Sequence, residues 1–477
     1  MNARTLLLVA CAAILPTSVS AQPAALSAPA PLTATVADGD FAIVNATVAI
    51  GDGSAPIERG TVVVRGGKVL AAGAGVAVPA GIRTIDGTGK WVTPGLVIAV
   101  TDLGLLDAGG VDESNDEVAE KAGFNAALDV STAIDPDVQQ VAVNRAAGVT
   151  RAAVAPLAGN AIFAGQGAVI DLGADPRTVT RPRAFQYVEM GERGAALAGG
   201  SRVAAQAVLR NALREASEFD RRNTAKSPVR IGGKIAPIST GDDIPLDPRM
   251  SPATQGQSQD ALLTHFDAAA LVPVVTGRQP LYVHVDRAAD IRAMLALKKD
   301  FPALRLVIVG AAEGWRVANE LAAAKVPVLA QALTDLPGRF ETQAATQSNV
   351  GRMTAAGVKV GLGGFYDLDQ PRYAPQYAGN LVAVARMPGA TGLTWGQALA
   401  AITSIPAEII GEGDRIGSLK PGRAGDVVMW DGDPLELSSS AVTIYIDGVL
   451  QHLLNHQTRL RERYRRPQEG GLPKAYE

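Results

Sequence analysis

The sequence predicts an α/β fold: a TIM-like (β/α)8 barrel carrying a small β-sandwich domain formed by the N- and C-terminal segments. Three observations predict it. Short strands punctuated by turn residues lie near both ends of the chain. The stretch between them alternates apolar runs with helical patterns. The length of 477 residues exceeds one ordinary domain but suits a barrel of about 250 residues, with insertions and a satellite. Hydrophobic residues make up 47% of the chain, enough for a large core, and with aromatics at only 4% the filling falls to Ala, Val, Leu and Gly. The 44 basic residues against 47 acidic ones call for no nucleic-acid partner.

The first residues read as a signal peptide over 1–21. Arg4 supplies a short positive region, Leu6 to Leu15 is apolar but too short to span a bilayer, and Val19-Ser20-Ala21 offers small residues for cleavage. The mature chain is then expected to start at Gln22 as a periplasmic or secreted protein with no membrane insertion after signal removal. The competing reading is a lipoprotein anchored at Cys11. Cys11 is the only cysteine, so cleavage after Ala21 leaves no thiol for a disulfide, a zinc–cysteine site or a nucleophile.

Residues 22–39 form a lead-in rich in Ala, Pro, Thr and Ser. Strands follow at Phe41–Ala49, Gly60–Arg65, Lys68–Ala72 and Arg83–Asp86, with Gly51-Asp52-Gly53 and Gly66-Gly67 as turns. This meander is too small to bury a core unaided. Residues 94–413 behave differently. Strands are expected at Gly95–Val100, Val149–Ala155, Tyr282–Val285, Leu304–Val309, Val326–Leu329 and Val358–Leu362, and helices at Ala288–Lys298, Gly314–Ala324 and Asn349–Ala356. The later units recur at βα spacing. In the first half, Gly165–Leu172 and Phe185–Met190 are the best further strands, and Arg202–Phe219 is a helix. Asn223–Ser258 reads as a long polar loop. After a helical Trp395–Ile410, strands at Asp426–Trp430 and Val442–Ile446 return to the β-domain, which thus comprises 40–93 and 414–455. The tail, 456–477, carries a basic run, Arg459 to Arg466, read as a solvated helix packed through Leu460 and Tyr464.

Three stretches together resemble the amidohydrolase superfamily in its imidazolonepropionase-like branch: Gly87 to Val97 (GTGKWVTPGLV), Ala401 to Ala407 (AITSIPA), and Ile416 to Val428 (IGSLKPGRAGDVV) closed by Asp431-Gly432-Asp433-Pro434. The resemblance implies the same barrel and, for the family, hydrolysis of carbon–nitrogen bonds by a water activated on one or two divalent ions. It also implies His-x-His at the end of the first strand, a lysine on the fourth, histidines on the fifth and sixth and an Asp on the eighth. Here these places fall on Val100 and Asp102, on Gln186, on His284, on Gly310 and on Phe365, with Asp367 two residues further on.

The chain has four histidines: His265, His284, His452 and His456. Only His284 falls at a strand end facing the expected site, so a two-metal centre of the family type is not expected. His265 lies in an apolar helical run. His452 and His456 are read as structural for want of a third ligand. His284, Asp102 and Asp367 are the candidate catalytic residues, Glu313 a further partner, and His284 with Asp102 the candidate ligands for at most one zinc-like divalent ion. His284 is either a relic held by hydrogen bonds or a metal-free general base. The acidic loop Asp112 to Glu117 reads as solvated, with attraction of a cationic substrate as the alternative. Two functions stay open: a hydrolase with a degenerate metal centre, acting on a small-molecule substrate, and a non-catalytic protein that binds a ligand or partners an active amidohydrolase, as a homo- or hetero-oligomer.

Overall fold

The computed structural model describes residues 39–174, 178–225, 230–231, 234–235, 261–366 and 371–465. Residues 1–38, where a signal peptide is expected, most of the polar loop before residue 261, Asp367 and the last residues of the tail lie outside them.

The β-domain opens with β1 (Phe41–Val48), β2 (Ile57–Arg65), β3 (Lys68–Gly73), β4 (Arg83–Asp86) and β5 (Trp91–Pro94). The barrel then follows with β6 (Leu96–Thr101), helix α1 (Gln139–Ala146), β7 (Val149–Val154), β8 (Phe163–Asp171) and β9 (Val179–Glu189). Helices α2 (Gly191–Leu197) and α3 (Arg202–Ala225) come next, then a two-strand ladder of β10 (Arg230–Ile231) and β11 (Lys234–Ile235). After α4 (His265–Val275) the chain alternates strand and helix: β12 (Leu281–Val285), α5 (Ala288–Asp300), β13 (Leu306–Gly310), α6 (Ala318–Ala323), β14 (Val328–Ala330), α7 (Asn349–Ala355) and β15 (Val360–Phe365). Helices α8 (Ala374–Val384), α9 (Trp395–Ala400) and α10 (Ser404–Ile409) lead to β16 (Val427–Trp430), β17 (Ala441–Ile446), β18 (Val449–Leu450) and α11 (His456–Tyr464).

Eight strands close the barrel in the order β6-β7-β8-β9-β12-β13-β14-β15. One strand departs from the βα alternation: β8 runs antiparallel to both β7 and β9. The connections explain it. Only residues 155–162 and 172–178 separate these strands, whereas a parallel return takes a dozen residues or more. Gly165–Leu172 and Phe185–Met190 are therefore strands as read, but the first points the opposite way. Inside the barrel, alternate residues such as Val97, Ala99, Ala153, Phe185, Tyr187, Tyr282, Val307 and Leu329 pack together. Phe185 stacks on Tyr282 at 4.2 Å, a pairing worth roughly 0.5–1.5 kcal/mol beyond area burial. The helices cover the outside. In α3, Ala205, Leu209, Ala212, Leu213 and Ala216 recur at helical spacing and are all buried.

The helical stretch expected over Trp395–Ile410 breaks at residues 401–403. Pro406 has no N–H to give to the carbonyl of Ile402. The carbonyls of Ala401 and Ile402 instead accept from Leu362 and Val97 on the barrel strands, at 2.8 and 3.0 Å.

The two ends of the chain share one sheet of eight strands, β18-β17-β16-β5-β1-β2-β3 with β4 beside β1. It folds over its own core, so Phe41 of β1 stacks on Tyr445 of β17 at 3.9 Å. The sheet joins the barrel at Arg151 of β7, whose side chain is wholly buried. Its guanidinium donates to both carboxylate oxygens of Asp426 at 2.7 and 2.9 Å and pairs with Asp447 at 2.8 Å and Asp171 at 3.5 Å. Gly95, at the entry to β6, allows this close junction: a Cβ there would stand 2.1 Å from Thr150 Oγ1. Among the described residues, no helix is long and apolar enough to cross a membrane.

Candidate functional site at the barrel mouth

The C-terminal ends of the barrel strands define the mouth, where this architecture carries its chemistry. Tyr282 of β12 points into the barrel core, and strand alternation brings His284 to the same face, at the top. Its neighbour in register on β9 is Glu189. The imidazole Nδ1 lies 2.7 Å from Glu189 Oε1 and Nε2 lies 4.0 Å from Asp286 Oδ2. Both ring nitrogens thus face carboxylates, and neither partner is Asp102 or Glu313.

These surroundings favour the charged ring. Burial, the largest single influence, opposes the charge. The Glu189 carboxylate and its hydrogen bond, with help from Asp286 and against Arg339, outweigh burial and raise the pKa to about 9. At neutral pH His284 is an imidazolium with two N–H donors. It then has no lone pair for a metal or for abstracting a proton.

Asp286 is itself held in place. Its Oδ1 accepts the Ala312 N–H at 3.1 Å and its Oδ2 the Arg339 guanidinium at 2.9 Å. Arg339 also lies 3.5 Å from Glu341. Glu341 in turn accepts the Glu192 N–H at 2.7 Å and stands 3.5 Å from Arg202. Burial, with the Asp286 and Glu192 charges, pushes the Glu341 carboxyl upward despite Arg339 and that N–H. The mouth carboxylates are therefore matched by cations from the chain itself. Two phenols lie close to Glu189. Burial foremost, with Glu189 nearby, pushes Tyr187 and Tyr366 far up, so both remain O–H groups.

Of the other positions read from sequence, Asp102 is buried just past β6 and accepts from Thr101 Oγ1 at 3.4 Å. Its negative charge acts on Tyr366, on the far side of β6 from β7. Asp367 lies outside the described residues. Glu313 serves the backbone: its two oxygens accept the N–H groups of Ala288 and Ala344 at 3.0 and 3.1 Å. The fourth-strand position at the mouth is Glu189, not Gln186, whose amide donates to the Gly165 carbonyl lower in the barrel. Sequence reading missed Glu189, although inward Phe185 and Tyr187 put it next on the same face. The sixth-strand place at Gly310 is filled by its neighbours. A Cβ there would stand 2.7 Å from Asp286 Oδ1 and 3.1 Å from His284 Nε2, on a backbone with φ of +89°. His265 packs edge-on against Phe219. His452 precedes α11 while His456 opens it, so the two do not share a helix face.

A divalent ion needs three or more converging donors to be held firmly. Among the described residues, no group of three or more His, Cys, Asp or Glu side chains is placed to hold one. With Glu189 on His284 Nδ1 and Arg339 on Asp286, the donors present do not converge as the family's metal requires.

Residues 257–450 match the sequence profile of the amidohydrolase family. That match covers less than half of the chain. In a second comparison, amidohydrolase tasK of Hapsidospora irregularis is 24% identical over 416 residues, covering 84% of this chain. The chain spans 40% of the length of that relative. Among solved structures, an amidohydrolase from Thermotoga maritima MSB8 superposes with a TM-score of 0.70 at 23% identity, covering 86% of this chain and 99% of that one. Phenylurea hydrolase B gives a TM-score of 0.50 at 15% identity, covering 87% and 97%. These likenesses establish the amidohydrolase fold.

Proposed function

We propose that this chain is a member of the amidohydrolase family that has given up metal-assisted hydrolysis and keeps the barrel mouth as a binding site. The observation that carries this reading is the placing of protein groups where metal charge would stand: His284 between Glu189 and Asp286, and Arg339 between Asp286 and Glu341. In the family the corresponding carboxylates and imidazoles would be free to bind an ion. Here each has a partner, and the sixth-strand place has no room for a ligand. The signal-like segment at residues 1–21 supports export to the periplasm or beyond, and a partnership with an active amidohydrolase is compatible with this role.

A second reading has one observation in its favour. His284 keeps one-fifth of its side-chain surface open while charged, which suits a general acid donating from Nε2 to a leaving amine. In that case the chain retains carbon–nitrogen hydrolysis without a metal, with Glu189 holding the ring.

Elemental analysis separates these from the family chemistry. The protein, expressed with its leader and purified without chelator, is measured beside His284→Ala. The expected result is far less than one zinc, manganese or nickel per chain in both. One ion per chain, lost in the variant, would overturn the reading. A screen of N-acyl amino acids, lactams and dipeptides then distinguishes binding alone from metal-free hydrolysis.

A further inference from the structure

A separate pocket of about 410 Å³ opens on the outer rim of the barrel, between the segments that follow β12, β13 and β14. Its walls include Arg287, Arg292 and Arg316, the first residue of α5 at Ala288, the carboxylate of Glu313 and the ring of Phe340. None of these touches His284, although Arg287 directly follows Asp286 in the chain and shares Asp290 with Arg202.

The guanidinium groups are oriented but only partly spent. Arg292 uses Nε alone, on both oxygens of Glu320 at 2.8 and 3.1 Å, leaving its two terminal amino groups. Arg287 uses Nε and Nη2 on Asp290, leaving Nη1. The Arg316 guanidinium has only an ion pair of 3.6 Å with Glu313, and no side-chain hydrogen bond among the described residues. Arginine anchored on one edge presents its other edge as a rigid donor pair, the geometry that suits a carboxylate. Phe340, meanwhile, is 82% exposed, which leaves a large apolar ring in water beside those donors. Glu313 cannot serve an incoming cation well, because both its oxygens already accept backbone N–H groups.

We propose that this rim pocket recognises a carboxylate carried on an apolar group: the guanidinium edges of Arg292 and Arg316 hold the charge and Phe340 covers the apolar part. The carboxylate could belong to a free acyl amino acid or to the C-terminus of a peptide. The proposal stands apart from the metal-free reading, since zinc content plays no part in it.

The test is a calorimetric titration of the full-length exported chain with N-acetyl-phenylalanine and with N-acetyl-phenylalaninamide, which has the same body without the charge. The acid is expected to bind, and the amide to bind about tenfold more weakly, as follows from losing a charge-assisted hydrogen bond. The double variant Arg292→Gln/Arg316→Gln should weaken the acid by a similar factor, and Phe340→Ala should weaken acid and amide alike. All three side chains are half-exposed or more, and an unchanged urea midpoint checks that the variants fold. Gly-Gly-Phe with a free terminus separates the sources: tighter binding than the acetyl amino acid means a peptide end, weaker binding a free acid. No binding of the acid, equal affinity for acid and amide, or undiminished binding by the double variant would each sink the proposal.

Discussion

Glu189 Oε1 sits 2.7 Å from His284 Nδ1, across adjacent parallel strands at the barrel mouth. This contact decides the protonation state of the site, and it links pH to stability. The folded pKa of about 9 lies above the usual histidine value of 6.5. The stabilising contribution is therefore fully present below about pH 6.5 and is lost as pH rises through 9. Its size is on the order of 3 kcal/mol. An NMR titration of the His284 ring should show the high pKa in the wild type. Glu189→Gln should bring it down sharply, because burial then acts with less opposition. A wild-type ring titrating near 6 would contradict this account.

At Gly310 the consequence is steric. Gly310→Ala puts a Cβ against Asp286 Oδ1 and on a left-handed backbone. It should lower stability by roughly 1–3 kcal/mol in urea unfolding. Gly310→His should destabilise at least as much, and isothermal titration with zinc should detect no new high-affinity site. If the histidine is accepted without loss and zinc binds, the mouth has room for a ligand at this place.

Arg151 answers to a different physics. It is buried among three carboxylates at the junction of sheet and barrel. Arg151→Met strands Asp426 and Asp171 without their cation, and should cost about 3–5 kcal/mol. Asp426→Asn, which leaves two acidic partners in place, should cost less. The order of the two urea midpoints tests the assignment.

A milder effect is expected at Glu313. Glu313→Gln keeps one acceptor for the backbone N–H groups of Ala288 and Ala344 and loses the other. The loss should be about 1–3 kcal/mol, with the His284 pKa left unchanged in the same NMR titration.

How much of this was legible in the sequence follows the physics of each feature. The βα units from Leu281 to Phe365 were readable because buried parallel strands leave continuous apolar runs, such as LVIVG at residues 306–310. The composite sheet was readable from its turns and from the family-like stretches around Pro94 and Pro421. The direction of β8 was not, since apolar content says nothing of strand polarity; the brevity of residues 172–178 was the available signal. At the mouth, His284 stood out as the one histidine at a strand end. Its partners did not, because Glu189, Arg339 and Glu341 lie 95, 55 and 57 residues away in sequence, and only barrel closure brings them together. Asp102 drew attention through the family pattern, whereas among the described residues the carboxylates that face the ring are Glu189 and Asp286.

The sheet built from both ends of the chain sets a timetable for folding. β5 pairs with β16, and Arg151 meets Asp426 across 275 residues. During synthesis, Trp91–Pro94 has an open strand edge on that side until Val427–Trp430 emerges from the ribosome. The buried Arg151 likewise waits for its bidentate partner. Contacts of such span form slowly, and an open edge invites wrong pairing in the interval. The composite sheet therefore closes only after every strand and helix of the barrel has been made.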